Sequence, residues 1–413
     1  MPLHLPSHRA AARQRPGRRV GLALIGLGLL AAACHGSGSA SPGHIAAAPD
    51  VLGQPRGAVT VQGAPAPAGT GSLTDVSCAD ARHCWAVGVA DPDVTSNAIV
   101  IVATTDGGAT WKNQPLTSAA TPALTGVSCP TVSDCMAVGS TAQGLGAGVV
   151  LTTHNGGASW STLTPPAGAF QMIAVQCTSA ADCRAIVNDG TFTWSALTTT
   201  FGRTWQRQGN LPTGLEGIDS LDCTGTTCLV VGYSPTTAGH GQGSIAISTD
   251  GAATWAAADV PTGMGVLHWA TCPTPAHCLA VGTTSSTVSD VIPAQGQVLA
   301  SLDAGHTWAV APTSSPIQNI YGIVCPTTTT CAMVGTKWVG TPVIGSGAVA
   351  QSIDGGVHFV AAKAAYIPLS LTALACPAST SCIAVGGDTV ARITLPAPKV
   401  TVAPERHRRA PIR

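Results

Sequence analysis

Short apolar runs return along this chain at a nearly constant interval, each time beside the same pair of cysteines. A run such as Leu73 to Cys78, Leu124 to Cys129 or Leu371 to Cys376 ends on a cysteine. A gap of five residues follows, and the second cysteine opens a segment of the form Cys-x-Ala-Val-Gly, as in Cys84 to Gly88 and Cys135 to Gly139. Runs this short predict strands rather than helices, and the gap predicts the turn of an antiparallel hairpin. A third apolar strand follows at Ala98 to Ala103, Val149 to Thr152 and Ser244 to Ile247. The first cysteines, Cys78, Cys129, Cys177, Cys223, Cys272, Cys325 and Cys376, are separated by 51, 48, 46, 49, 53 and 51 residues. A period near fifty marks a propeller or a solenoid.

The third strand runs into a second recurring pattern, Thr104-Thr105-Asp106-Gly107-Gly108-Ala109-Thr110-Trp111. It returns as Ser248 to Trp255 (Asp250), Ser301 to Trp308 (Asp303) and Ser352 to Phe359 (Asp354), and in altered form as Thr153 to Trp160 (Asn155) and Thr198 to Trp205 (Thr200). The pattern resembles the Asp box of bacterial neuraminidase repeat propellers, found in sialidases and photosystem assembly factors. The resemblance implies an all-β fold and no particular activity. In physical terms the aspartate accepts backbone N–H bonds, glycine takes the positive φ, and the aromatic packs at the start of a fourth strand.

Seven units of four antiparallel strands predict a seven-bladed β-propeller. From each box aromatic to the next first cysteine is 17 or 18 residues, and counting back 17 from Cys78 reaches Val61. The segment Ala58 to Gln62 therefore predicts an N-terminal strand that completes the last blade, whose own chain stops after Thr389 to Leu395. The expected domains are a signal peptide over 1–33, a linker over 34–57, the propeller over 58–396 and a basic tail over 397–413.

The start carries Arg9, Arg13, Arg15, Arg18 and Arg19, then the apolar run Val20 to Ala33, too short to span a bilayer and suited to a signal peptide. Ala31-Ala32-Ala33-Cys34 resembles a bacterial lipobox, which implies lipidation at Cys34 and an exported, membrane-attached protein; Ala31 stands where leucine is usual. Fourteen cysteines remain, and they fall into seven pairs. Six have five residues between them: Cys78 with Cys84, Cys129 with Cys135, Cys177 with Cys183, Cys272 with Cys278, Cys325 with Cys331, and Cys376 with Cys382. The seventh, Cys223 with Cys228, has four. In an oxidising compartment pairs so regular predict disulfides. No metal or cofactor is expected. Setting aside ten basic residues at the two ends leaves nine against eighteen acidic ones between positions 20 and 398, about −9, with no basic stripe for nucleic acid. A monomer is expected.

In such a blade the first and third turns emerge on one face, which puts the cystine turns and the aspartate turns together. The second turns and the blade-to-blade crossings emerge on the other. Spacing from second cysteine to aspartate turn varies as 20, 18, 15, 20, 23 and 21, so the variable second turns mark the opposite face for binding. On that face the residue four before each first cysteine reads Thr74, Thr125, Ile173, Asp219, His268, Tyr321 and Thr372. Asp219, His268 and Tyr321 fall on three adjacent blades, with Glu216 just upstream and Tyr233 and Trp338 in longer loops as further candidates. A sialidase requires an arginine cluster, and the six arginines of the body (Arg56, Arg82, Arg184, Arg203, Arg207, Arg392) form none. Non-enzymatic binding of an envelope protein or polysaccharide is the first expectation. A glycoside hydrolase with a carboxylate pair among Glu216, Asp219 and Asp222 is the second.

Overall fold

The computed structural model describes residues 59–397 apart from 92, 94–98, 117–122, 142–145, 236–240, 285–294, 313–314, 340–343, 364–366 and 368–369. The signal peptide, Cys34, the linker and all of the basic tail beyond residue 397 lie outside the described residues. The strands form seven four-stranded antiparallel sheets, a seven-bladed β-propeller. Each of six blades takes four consecutive strands. In the seventh, Ala373–Ala378, Ser381–Gly386 and Thr389–Thr394 are joined on the outside by Thr60–Pro65. Thr60 pairs with Thr394 and Pro65 with Thr389, so the N-terminal strand closes the ring. Its register agrees with the count back to Val61, since Gln62 faces Arg392 as Lys112 faces Ala103 in blade 1. Its span differs from Ala58 to Gln62 because pairing continues to the second turn, where the Ala66 N–H donates to the Asp388 carbonyl at 2.7 Å.

Apolar side chains form seven separate clusters, and each joins two neighbouring blades. Trp85, Ile101, Leu124 and Leu151 tie blade 1 to blade 2, and Val76, Val102, Ile383 and Val390 tie blade 1 to blade 7. The second and third strands of each blade are covered on both faces, which explains their unbroken apolar runs. Burial of this kind is the main stabilising term.

All seven cysteine pairs are disulfides, each within one blade. Cys78 is bonded to Cys84, Cys129 to Cys135, Cys177 to Cys183 and Cys223 to Cys228. Cys272 is bonded to Cys278, Cys325 to Cys331 and Cys376 to Cys382. Cα–Cα distances of 3.9 to 4.1 Å place every bridge across the mouth of its hairpin turn.

The six aspartate turns sit beside the bridges. In every one the hydroxyl of the first Ser or Thr accepts an N–H from four residues on, at 2.8 or 2.9 Å. Asp106 accepts the N–H and the hydroxyl of Thr110 at 2.9 and 2.6 Å, and Asp250 and Asp303 repeat this with Thr254 and Thr307. An N–H in each turn then donates to a carbonyl of its own blade's cystine turn, Gly107 to Arg82 for example, at 2.8 to 2.9 Å in all six. The two kinds of turn thus share one face, as the strand arithmetic requires. Among the described residues, the three non-glycine residues at positive φ, Phe201, Ala252 and Ala304, all lie in these turns. Trp160 and Trp308 are buried and Trp111, Trp205, Trp255 and Phe359 partly so, each one residue before its outer strand.

Candidate functional site

The inner strands decide what faces the central channel. In blades 1, 2, 3, 5 and 6 the ladder to the second strand skips the residue four before the cysteine: Thr74, Thr125, Ile173, His268 and Tyr321. A β-bulge re-aims the extra side chain. Here it turns a ring of side chains toward the channel mouth, and all seven predicted positions line one cavity of about 480 Å³.

Apart from the apolar Ile173, the ring divides into two kinds of residue. Thr74, Thr125 and Thr372 donate hydroxyl bonds to the carbonyls of Leu124, Met172 and Leu73 on the next blade, at 2.9, 2.8 and 3.3 Å. Their role is to latch blades 7, 1, 2 and 3. Blades 4, 5 and 6 carry Asp219, His268 and Tyr321 instead. His268 Nδ1 stands 2.6 Å from Asp219 Oδ2, and the His268 and Tyr321 rings meet edge to face at 4.9 Å. Asp219 keeps 45% of its side chain exposed, so the carboxylate still faces the mouth.

Blade 4 departs most from the pattern. Between the pairs Glu216–Tyr233 and Ser220–Val231, three residues, Gly217, Ile218 and Asp219, stand opposite Gly232 alone. Gly217 has φ 49°, and a Cβ there would collide with the Tyr233 ring. Tyr233 therefore props the bulge. Glu216 lines a second cavity of about 520 Å³ between blades 3 and 4, which shares Gln171, Ile173 and Ile218 with the mouth. Trp338 is 40% exposed on blade 6 and lines neither cavity. The long second-turn segments 236–240, 285–294 and 340–343 lie outside the described residues. The two cavities instead meet beside blade 3, whose spacing of 15 is the shortest of the six.

Beneath the mouth the channel is lined by Asp75, Ser77, Ser128, Gln176, Trp269 and Asp222. Five of them fasten blade to blade. The N–H groups of Cys129, Cys177, Cys223 and Cys272 donate to Ser77, Ser128, Gln176 and Asp222 at 3.0, 2.9, 2.6 and 3.3 Å. Asp75 accepts the N–H of Val127 in blade 2 and of Val76, both at 2.8 Å. Burial nevertheless pushes its carboxyl up to about 6, and pushes Asp222 up as well.

A carboxyl with a raised value favours the folded state when protonated, so this contribution is present below the ordinary value of 3.8 and is lost as pH rises through 6. Asp75 should therefore add stability on the order of 2 kcal/mol as pH falls from 6 to 4. The aspartate turns act in the opposite sense at lower pH. Asp250 is held at about 2 by the Thr254 hydroxyl and N–H. At Asp303 burial is outweighed by bonds from Thr307 and Ser301, which also give about 2. The urea midpoint of Asp75→Asn should lose the rise between pH 6 and 4; an unchanged slope would assign it elsewhere.

No protein-family model and no curated protein matches the chain. Among solved structures it is similar to YCF48 bound to D1 peptide, with 16% identity, a TM-score of 0.58, and 81% of this chain and 96% of that one covered. YCF48 from Cyanidioschyzon merolae gives 14%, 0.58, 81% and 98%. The GH74 xyloglucanase from Xanthomonas campestris gives 14%, 0.51 and 79%, and this chain spans about half of that enzyme, 52%. At these identities the likeness shows the seven-bladed propeller fold alone.

Proposed function

We propose that this protein is a non-enzymatic binding propeller of the cell envelope, with its ligand seated at the channel mouth over Asp219, His268 and Tyr321. One observation carries the choice against a hydrolase. Asp219 is the one carboxylate among the described residues lining the mouth, and it is committed to His268. Glycoside hydrolysis needs two carboxyl groups about 5 to 9.5 Å apart across the bond to be cleaved. Of the other two candidates, Asp222 lies beneath the mouth and bonds to blade 5, and Glu216 lines the neighbouring cavity between blades 3 and 4 rather than the mouth. YCF48 has a structure with D1 peptide bound, which supports a protein ligand for a propeller of this shape; a polysaccharide is the other ligand class.

The turn geometry and motif support placing the chain with the Asp-box, bacterial neuraminidase repeat propellers. The leader and the Ala31 to Cys34 pattern support export and a lipid anchor. Cys34→Ser should move the protein from the membrane fraction to the soluble one. Incubated with plant and bacterial polysaccharides, the protein should release no reducing sugar. Release that Asp219→Asn abolishes would establish the hydrolase instead.

A further inference from the structure

The groove between blades 3 and 4 continues the mouth outward over the face. Its floor is aliphatic, with Leu211 and Leu215 buried at the crossing and Ile173 and Ile218 shared with the mouth. Its rim is Phe192, 47% exposed. That rim is held firmly. Asp189 Oδ1 accepts the N–H groups of Thr191 and Phe192 at 3.0 and 2.7 Å, and Oδ2 accepts from Trp194 Nε1 and Arg207, both at 3.1 Å. Phe170 packs on Gly190 of the same loop. A built, half-open trough of this kind, with polar walls over its aliphatic floor, loses little entropy on binding.

The charge around it has one sign. Glu216 stands in the groove and Asp219 at its inner end, while neither cavity has a Lys or Arg among its lining residues. Arg207, on the outer strand of blade 3, is engaged by Asp189, by Asn210 and by the face of Trp194 at 4.3 Å. The body as a whole carries about −9, which favours approach of a cation. The three-residue bulge at Gly217, Ile218 and Asp219 also leaves backbone out of the ladder along the groove, where an extended chain can pair with it.

We infer that this groove seats an extended polypeptide segment whose apolar side chains rest on Ile173, Ile218 and Leu215 and whose lysine or arginine reaches Glu216 and Asp219. The inference rests on the mouth being the ligand site and names the ligand's chemistry. Branched aliphatic floors suit peptide side chains, whereas sugars stack on flat aromatic faces, of which the groove has one, Phe192, at its rim and none on its floor.

The test is selection of a random nine-residue phage library on the immobilised full-length protein, beside a glycan array. Sequences with Lys or Arg a few residues from Leu, Ile, Val or Phe should be enriched. The synthesised winner should bind about tenfold more weakly to Glu216→Lys, with weaker binding at higher salt. Phe192→Ser should weaken it comparably. Both substituted residues are exposed, and unchanged melting curves confirm the fold. Winners that depend on Asp219 but ignore Glu216→Lys and Phe192→Ser would overturn the groove while leaving the mouth in place. Winners that ignore Asp219, His268 and Tyr321 would remove the mouth as well. Enrichment of acidic peptides, binding of glycans alone, or no enrichment would overturn the inference.

Discussion

Reducing all seven disulfides should lower the melting temperature by roughly 20 °C, a far larger effect than any surface substitution would have. Each bridge joins cysteines only five or six positions apart, and the chain-entropy model assigns such a loop about 2 kcal/mol. Seven of them amount to about 15 kcal/mol, as much as the whole net stability of an ordinary domain. Few other restraints could replace them: 9% of the chain is charged, and the one Arg–Asp pair among the described residues, Arg207–Asp189, is partly exposed. Calorimetry with and without reductant decides the matter, and Cys177→Ser with Cys183→Ser should account for about one seventh of the shift. A reduced protein that melts where the oxidised one does would show that the blades hold without their staples.

Removing residues 59–65 should cost about 5 kcal/mol and produce self-association. Val59 is buried, 5% exposed, in the cluster that joins blades 6 and 7, which is about 2 kcal/mol by burial. The pairing of Thr60–Pro65 with Thr389–Thr394 supplies the rest through its ladder. Without it Thr389–Thr394 becomes an unprotected edge on which a second copy can add a strand. Gel filtration should show dimers and larger species, and the thermal transition should fall. A monomer with an unchanged transition would mean that blade 7 is stable with three strands.

Most of the fold is legible in the sequence because its signals are local and repeat in phase. Cysteine pairs mark hairpin turns, aspartate turns mark the third turn, and their fixed spacing counts the blades. The ring of Thr74, Thr125, Ile173, Asp219, His268, Tyr321 and Thr372 is legible for the same reason, since each stands at one constant distance from its cysteine, in six of the seven blades within a bulge. What the ring does is not legible. The letters set Asp219, His268 and Tyr321 apart by residue type, but not that Thr74, Thr125 and Thr372 latch onto carbonyls of the next blade, which only the folded ring shows. Tyr233, a ligand candidate by its place in a long loop, packs against Gly217. The groove gives no signal in the loop lengths, because it is the short loop of blade 3 that leaves the space open. The raised carboxyls of Asp75 and Asp222 give no signal either, since only the folded channel takes these acids partly out of water.

Whether ligand binds at the mouth is decided by the triple variant Asp219→Asn, His268→Gln, Tyr321→Phe. Titrated calorimetrically with the peptide or glycan that the parent protein selects, the variant should lose at least about a hundredfold in affinity, since three polar contacts at about 1 to 1.5 kcal/mol each are removed. Its melting temperature should stay within a few degrees of the parent, because none of the three belongs to a cystine or aspartate turn. Parental affinity in the folded variant would contradict the claim and place the ligand elsewhere on the propeller.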